Sequence, residues 1–454
     1  MTSIAPTRIL IVGGGGREHA LAWKLASEPG GNEIIVVPGS DAIAGEPRVR
    51  RVAGVDPLDP GAVLAVARRE AVELVVIGPE ASLAAGVTDA LRDAGIAVFG
   101  PSLAAARIES SKAYCHEIAT AAGVAMARAG TFSEPDGARR FAAELAADGH
   151  GVVVKADGLA AGKGVTVCDS LDEADSAIDE LFTAGASSQA GSPVSTAPVV
   201  VIEQRLVGPE ASLIALCDGR TAVALPLARD HKRLGDGDTG PNTGGMGAYS
   251  PLPDLPDEAI GSLLARFHQP ILAELACRGT PFRGALYAGL ILTSNGPVLL
   301  ECNARFGDPE TQAILPRLAV ALGPLLVAAA RGDLRAALPG SVLESGRLPA
   351  LPGTTVAIVV ASAGYPGRPR TGDPIDGLAE AAGSGALIFH AGTARDDDGT
   401  VRTAGGRVLS VVGRGADLAS ARASATAAAE RIQARGLQRR HDIGLEAVAA
   451  GAGR

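Results

Sequence analysis

Four short apolar runs within the first hundred residues, Arg8–Val12, Ile34–Val37, Leu74–Ile77 and Ala97–Phe99, each break straight into glycine or proline. They are too short for helices, are separated by helix-length segments, and show no polar alternation. Runs of this kind read as strands buried on both faces, which is the signature of a parallel sheet. The pattern predicts a doubly wound α/β unit, and such sheets bind ligands outside the carboxyl ends of their strands. Those ends carry Gly13–Gly16, Pro38-Gly39, Gly78-Pro79-Glu80 and Gly100-Pro101. A strand, a run of glycines and then a helix (here from about Arg17 to Ala26) lets backbone N–H groups meet a phosphate. The same residues can equally form a tight structural turn. A dinucleotide fingerprint is not completed, because Glu18 stands where its third glycine belongs.

From about Ser102 the pattern changes. A helix is expected from Lys112 to Ala122, and strands at Val152–Lys155, Val165–Val167, Val199–Glu203, Ala211–Leu216 and Thr221–Leu225, with a helix near Leu171–Leu181. Ala184–Pro198 is low in complexity and reads as a surface loop. A long helix, Asp257–Ala276, then precedes two strands, Leu286–Leu292 and Val298–Asn303. A third region begins near Ala336, with strands at Thr355–Ala361 and Arg407–Val412 and an alanine-rich helix near Asp417–Arg435.

The 454 residues suffice for roughly three domains. A net charge of −9 argues against a nucleic-acid groove, which needs a basic face to displace counterions. No run of ~18 apolar residues suggests a membrane span, and MTSIAPTRILIVGG lacks the basic-then-apolar layout of a signal peptide. The five cysteines, at 115, 168, 217, 277 and 302, form no CxxC pair, so neither zinc nor a disulfide framework is expected. A reduced cytoplasm is the expected compartment. Only five of the 41 basic residues are lysines, and four of them, Lys112, Lys155, Lys163 and Lys232, sit beside glycine-rich or acidic motifs. A compact point charge is wanted there rather than a guanidinium fork.

Four further blocks carry chemistry. In Val152–Val165 a lysine, Lys155, ends a buried strand and a glycine turn with Lys163 leads into another strand. No Ser or Thr follows Lys163 and no helix follows the turn, so this is not a Walker loop; such a hairpin can fold over ATP phosphates and be ordered by them. In Val201–Ser212, Glu210 can accept both hydroxyls of a ribose and the linker backbone can read an adenine edge, or the segment is an ordinary strand connection. The basic patch Asp230-His231-Lys232-Arg233 beside the glycine loop Asp238–Tyr249 suits anionic substrates. Finally, Glu301 and Asn303 project to one face of a strand. Two oxygen ligands so placed can hold a hard cation such as Mg²⁺, and Arg305, two residues on, can reach a phosphate or carboxylate.

Taken in order, GGREHALAWK, GPEASLAAGV, FGP, SSKAY, VKADGLAAGKGV, DHKRLGDGDTGPNTGGMGAYSP, ALYAGL, NARFGDPETQ, GYPG and FHAGT with GGRVL resemble the phosphoribosylamine–glycine ligases (glycinamide ribonucleotide synthetases), a family of the ATP-grasp superfamily. The resemblance runs from residue 8 to about 445. It implies an N-terminal α/β domain over 1–107, a two-part ATP-grasp core over 108–334 with a mobile lid at about 128–200, and a C-terminal domain over 335–454. It implies ATP as co-substrate with Mg²⁺ or Mn²⁺, and glycine and 5-phosphoribosylamine as substrates; a monomer is an expectation that no residue pattern fixes. Lys112 and Lys155 would meet the ATP phosphates, with Gly162, Lys163 and Gly164 on the lid. Glu203, Leu206 and the backbone of Arg205 would hold adenine, and Glu210 the ribose. Glu301 and Asn303 would bind the metal. Arg305, Asn242, Thr243, Gly244 and Met246 would face glycine and its acyl phosphate, beside Asp230 and Lys232. Gly15, Gly16, Arg17, Pro79, Glu80 and Asp308 would serve the substrates, the N-terminal turn holding phosphoribosylamine. The expected products are glycinamide ribonucleotide, ADP and phosphate, a step of purine biosynthesis. Another ATP-grasp carboxylate–amine ligase is the alternative within this fold. A nicotinamide-dependent oxidoreductase leaves the Lys155 and Glu301 blocks unexplained, and a nucleotide sensor has no need of a metal site beside a substrate loop.

Overall fold

A computed structural model describes residues 7–159, 164–188 and 198–451. The first domain is a five-stranded parallel sheet in the order Val49–Arg51, Glu33–Pro38, Arg8–Gly13, Leu74–Ile77, Val98–Phe99. The four expected strands are all present, and Ile9, Leu10, Ile11, Val12 and their neighbours Ile34–Val37 are fully buried. Each such side chain contributes about 1.5–3 kcal/mol over an exposed one. The edge strand Val49–Arg51 is invisible to a search for apolar runs because two of its three residues are arginines. Helix Gly16–Ala26 begins on the glycine turn, and its first free donor is satisfied from within: Gly15 N–H donates to Glu18 Oε2 at 2.7 Å.

Two antiparallel four-stranded sheets follow. One runs Ala129–Phe132, Val200–Gln204, Val152–Ala156, Val165–Cys168. Helices Pro135–Ala147 and Leu171–Ser188 cover it, giving a small core of its own built on Ala138, Leu145, Val152, Ile178 and Ile202. The second helix outruns the expected Leu181, so Ala184–Ser188 is helical; the rest of the anticipated loop, 189–197, lies outside the described residues, as do 160–163. The other sheet runs Ala222–Ala224, Glu210–Asp218, Arg283–Thr293, Gly296–Asn303. The linker that leads into Ala129–Phe132 is held to this second sheet, where Leu299 N–H donates to Ala125 O at 2.9 Å.

The segment expected as one helix over Asp257–Ala276 is continuous but irregular. It passes from a 3-10 turn through Ile260–Leu263 into a π turn at Leu264–His268, then helix Gln269–Cys277. Pro270 explains the widening. It lacks an N–H, and its ring excludes the carbonyl one turn back, so the ladder must shift register just before it.

The last sheet joins distant parts of the chain. Its order is Arg229–Asp230, Gly247–Ser250, Thr354–Ala361, Arg407–Gly415, Leu387–His390. Two of these strands flank the long glycine loop, so that loop is held between the ATP-grasp sheets and the C-terminal region. The join is tight: a Cβ on Gly247 would lie 2.7 Å from Ala357 O. Helix Leu418–Arg431 covers the far face, seated against Gly413, where a Cβ would meet Ala421 O at 2.3 Å. Among the described residues no helix is long and apolar enough to cross a membrane.

Candidate active site

A cleft lies between the two antiparallel sheets, lined by Lys112, His116, Lys155, Gly158, Gly164 and Glu203 on one side and by Glu301, Asn303 and Arg305 on the other. Strand pairing sets the first group. Lys155 lies opposite Val201 and Val153 opposite Glu203, which makes Lys155 and Glu203 diagonal neighbours on one face. Lys155 Nζ sits 2.6 Å from Glu203 Oε2, and Glu203 Oε1 lies 2.9 Å from His116 Nε2. Burial pushes the Glu203 carboxyl up, but Lys155 and His116 outweigh it and hold the group below its usual range.

Lys112 opens helix Lys112–Ala121, capped by Ser111. Its ammonium donates to Gly158 O at 2.9 Å. Burial first, and the charge of Lys155 second, lower its pKa. Two half-matched ammonium groups at one cleft wall favour an anion between them. Asp157 fixes the hairpin to this helix: Ser111 Oγ donates to its Oδ2 at 3.1 Å and Ala113 N–H to its Oδ1 at 3.2 Å.

Across the cleft, Glu301 and Asn303 lie on the same face of strand Gly296–Asn303, with Asn303 Nδ2 3.4 Å from Glu301 Oε1. Cys302 between them is turned into the core. Burial raises the Glu301 carboxyl, while Lys232, Lys155, the Asn303 amide and Arg305 bring it below the usual range. An ionised carboxylate and an amide oxygen side by side are donors that suit a hard cation. Among the described residues no group of three or more His, Cys, Asp or Glu side chains could hold a metal. A cation at Glu301 and Asn303 therefore needs further oxygens from a ligand or water. The paired strand Arg283–Thr293 presents Tyr287 instead of an acid, its hydroxyl 3.0 Å from Ser212 Oγ, which donates to Glu310 Oε1 at 3.1 Å.

Lys232 stands between Glu210 and Asp230, bonded to the first and 3.3 Å from Asp230 Oδ1. Burial works against its charge, and the two carboxylates overcome it, so the ammonium titrates well above its ordinary value. Glu210, expected at a ribose, is thus an ion-pair partner in this structure. Arg305 is clamped by Glu80 Oε2 at 3.3 Å and Glu109 Oε1 at 3.1 Å. The other Glu109 oxygen accepts the Ala304 N–H at 2.7 Å.

The N-terminal turn closes one end of the site. Arg17 Nε donates to Glu18 Oε1 at 2.6 Å and its Nη1 to Phe306 O at 3.2 Å. With Gly15 N–H and Arg17 both engaged by Glu18, the turn is occupied by an internal carboxylate. Pro79 precedes helix Glu80–Ala84 and delivers Glu80 to Arg305. Asp308 accepts Gln312 Nε2 at 2.7 Å and pairs with Arg407 Nη2 at 3.1 Å.

In the glycine loop, Asn242 ends strand Thr239–Asn242, and Thr243 N–H and Oγ1 both reach Lys232 O at 2.8 Å. Met246 is fully buried with Val359 and Ala361. Its N–H is spent on His231 O, so it anchors the loop instead of facing a substrate. The Arg205 side chain points away to Asp169, and the linker with Leu206 is exposed to half-buried. Gly162 and Lys163 lie outside the described residues. Glu18, Glu109, His116, Asp157 and Arg407 were not anticipated; Glu109 adjoins the SSKAY block and Arg407 sits in GGRVL, but neither block fixes a partner.

The outer part of the loop rests on the C-terminal segment. Arg440, 2% exposed, donates to Asp238 and to Arg233 O, and pairs with Asp442 at 2.7 Å. His231 first, then Arg440, hold Asp238 below the carboxylate range; Asp442, despite burial, is brought down by Arg440 to about 2. Arg440→Leu is expected to cost roughly 1–3 kcal/mol in urea unfolding at neutral pH, less than a fully buried pair because Asp238 is largely exposed. Depressed carboxylates stabilise the fold above their unfolded pKa of about 4 and lose that contribution as pH falls toward their folded values. The difference between variant and parent should therefore shrink through that window.

Comparison with known proteins bears on this geometry. Residues 7–109, 110–311 and 355–446 match, in turn, the family models described as the N domain, the ATP-grasp (A) domain and the C domain of phosphoribosylglycinamide synthetase. The chain is 48% identical over 450 residues to the phosphoribosylamine–glycine ligase of Streptomyces coelicolor, covering 98% of this chain and 100% of that one. It is 45% identical over 440 residues to that of Phenylobacterium zucineum, covering 97% and 99%. The crystal structure of phosphoribosylamine–glycine ligase from Thermotoga maritima superposes with a TM-score of 0.77 at 32% identity, covering 96% of this chain and 100% of that one. Biotin carboxylase from Campylobacter jejuni, at 16% identity and a TM-score of 0.66 over 98% of this chain and 96% of its own, shares the fold.

Proposed function

The chain belongs to the phosphoribosylglycinamide synthetase family, and on that premise we propose that it joins glycine to 5-phosphoribosylamine at the expense of ATP, forming glycinamide ribonucleotide, ADP and phosphate in purine biosynthesis. The observation that carries the reading is the cleft itself. Lys112 and Lys155 line one wall, and Glu301, Asn303 and Arg305 line the other. Cations for a phosphoryl group thus face a pair of oxygen donors and a guanidinium.

A carboxylate does not accept an amine directly at neutral pH, because its leaving group would be oxide. Phosphorylating glycine's carboxylate makes phosphate the leaving group. Lys112 and Lys155 are placed to hold the transferring phosphoryl oxygens, and Arg305 to meet charge as it develops. Glu301 and Asn303 would hold Mg²⁺ or Mn²⁺, which when bound neutralises phosphate charge. The exposed linker at Arg205-Leu206 offers backbone to an adenine edge, and Glu210, once Lys232 turns to an anionic substrate, can take the ribose. Asn242, Thr243 and Gly244, with Asp230, border the space for glycine. Gly15, Gly16, Arg17, Pro79, Glu80 and Asp308 border that for phosphoribosylamine. Five thiols without a disulfide suit a reduced cytoplasm.

The test is ADP release with ATP and Mg²⁺. Turnover should require glycine and phosphoribosylamine together, and the amide product should appear in step with ADP. Equal ADP release with another amino acid or another amine would shift the assignment to a different carboxylate–amine ligase.

A further inference from the structure

We infer that Arg407, carried by the C-terminal sheet, is a positioning residue for the phosphoribosylamine end of the site; the inference rests on the ligase reading above. Arg407 stands at the start of strand Arg407–Gly415, and its hydrogen-bond and ion-pair partners are Asp308, Gly244 and Gly245. Its Nη1 donates to Asp308 O at 2.6 Å and also to Gly244 O, with Gly245 O at 3.5 Å. Its Nη2 pairs with Asp308 Oδ2 at 3.1 Å. One guanidinium therefore holds two segments far apart in sequence, the glycine loop and the turn after Arg305.

The two segments meet with no slack. Gly245 has φ +109, and a Cβ there would lie 2.5 Å from Pro309 Cδ. A Cβ on Gly244 would lie 3.1 Å from Arg407 Cζ. Glycines are thus required both by backbone conformation and by the closeness of the guanidinium. The loop is tied to the same region a second time, because Gly244 N–H donates to Tyr365 OH at 3.0 Å. Asp308 in turn faces the N-terminal turn, its Oδ2 4.0 Å from where a Gly15 Cβ would stand.

Carbonyl oxygens of a bent loop and a carboxylate repel one another unless a cation lies among them. Arg407 supplies that cation in a planar fork that no other side chain reproduces. Its loss frees the loop to drift from Asp308, which widens the phosphoribosylamine end while the lysine and metal walls stay in place. The structure thereby gives the C-terminal domain a direct part in the site, through a residue that acts by holding Asp308 and the loop together.

Arg407→Gln and Arg407→Lys, compared with the parent, test this in the full-length enzyme. For Arg407→Gln the KM for phosphoribosylamine should rise about tenfold or more and the KM for glycine, whose space Gly244 borders, by less, with the KM for ATP within about twofold of the parent. Arg407→Lys should recover part of the loss, since it keeps charge but not the fork. Amide hydrogen exchange at Gly244–Met246 should speed up in Arg407→Gln. A uniform rise in all three KM values, unchanged exchange in the loop, or loss of folding in both variants would overturn the inference. A parent enzyme that releases no ADP with glycine and phosphoribosylamine would instead sink the ligase reading, and loop exchange would still decide whether Arg407 holds the loop.

Discussion

Glu301→Gln is expected to lower turnover about 10²- to 10³-fold or more, the scale on which a single preorganised electrostatic group acts, and to leave the fold intact. The glutamine is isosteric and can still accept from Asn303, so packing is preserved. What changes is charge. Lys155, Lys232 and Arg305 all act on the Glu301 carboxyl and keep it ionised against the cost of burial. A neutral amide removes the one anion they share in that place and would weaken the hold on a Mg²⁺ ion that neutralises phosphate charge. Glu301 is the one acid of the proposed pair, and among the described residues no group of three or more His, Cys, Asp or Glu side chains could take its place. The measurement is kcat across a Mg²⁺ titration, with a thermal melt as a control for folding. Raising Mg²⁺ should restore part of the activity. Parent-like turnover at limiting Mg²⁺ would remove Glu301 from the metal site.

The parallel sheet was legible because strands buried on both faces leave uninterrupted apolar runs, as Ile9–Val12 and Ile34–Val37 do. Glu301 and Asn303 were legible because a strand's period of two puts them on one face whatever surrounds it. Pairings across the fold were not. Lys155 is recognisable as a lysine at the end of a strand, but its pairing with Glu203, which His116 also engages, depends on a strand register and on a helix far upstream that no local pattern reveals. Met246 shows the converse failure: within a polar glycine loop it looked substrate-facing, yet it fills a small apolar site with Val359 and Ala361. The glycine turn after the first strand also resisted a local reading. Glycines there were consistent with a phosphate or with a plain turn, and only the packing reveals that Glu18 fills it. Arg407 escaped for a different reason. It sits in GGRVL, far along the chain from the blocks read as phosphate, metal or substrate sites, and sheet order brings it beside Asp308.

Glycine labelled with oxygen-18 in its carboxylate should pass one label to each phosphate released, and Arg305→Ala should suppress that transfer about 10²- to 10³-fold. Only an acyl phosphate moves a carboxylate oxygen to phosphate: the carboxylate attacks the γ-phosphorus, ADP leaves, and the amine then expels phosphate carrying the former carboxylate oxygen. A covalent acyl-enzyme would need a nucleophile, and the site offers a poor one. Cys302 lies in the core between the two proposed metal ligands, and its hydrogen bond with Cys115 together with burial holds its thiol well above its ordinary range. Arg305 is suited to the phosphoryl step because its charge is secure. Burial opposes the guanidinium, and Glu109 and Glu80 outweigh it, so it remains charged while fixed in direction by both. Arg305→Ala leaves those two carboxylates close together without their cation, so part of its effect would be a disturbed site. Arg305→Lys separates the contributions: charge is retained, the fork is lost, and an intermediate rate of label transfer is expected. Label found in AMP, or absent from phosphate in the parent enzyme, would exclude glycyl phosphate and with it the roles given to Lys155 and Arg305.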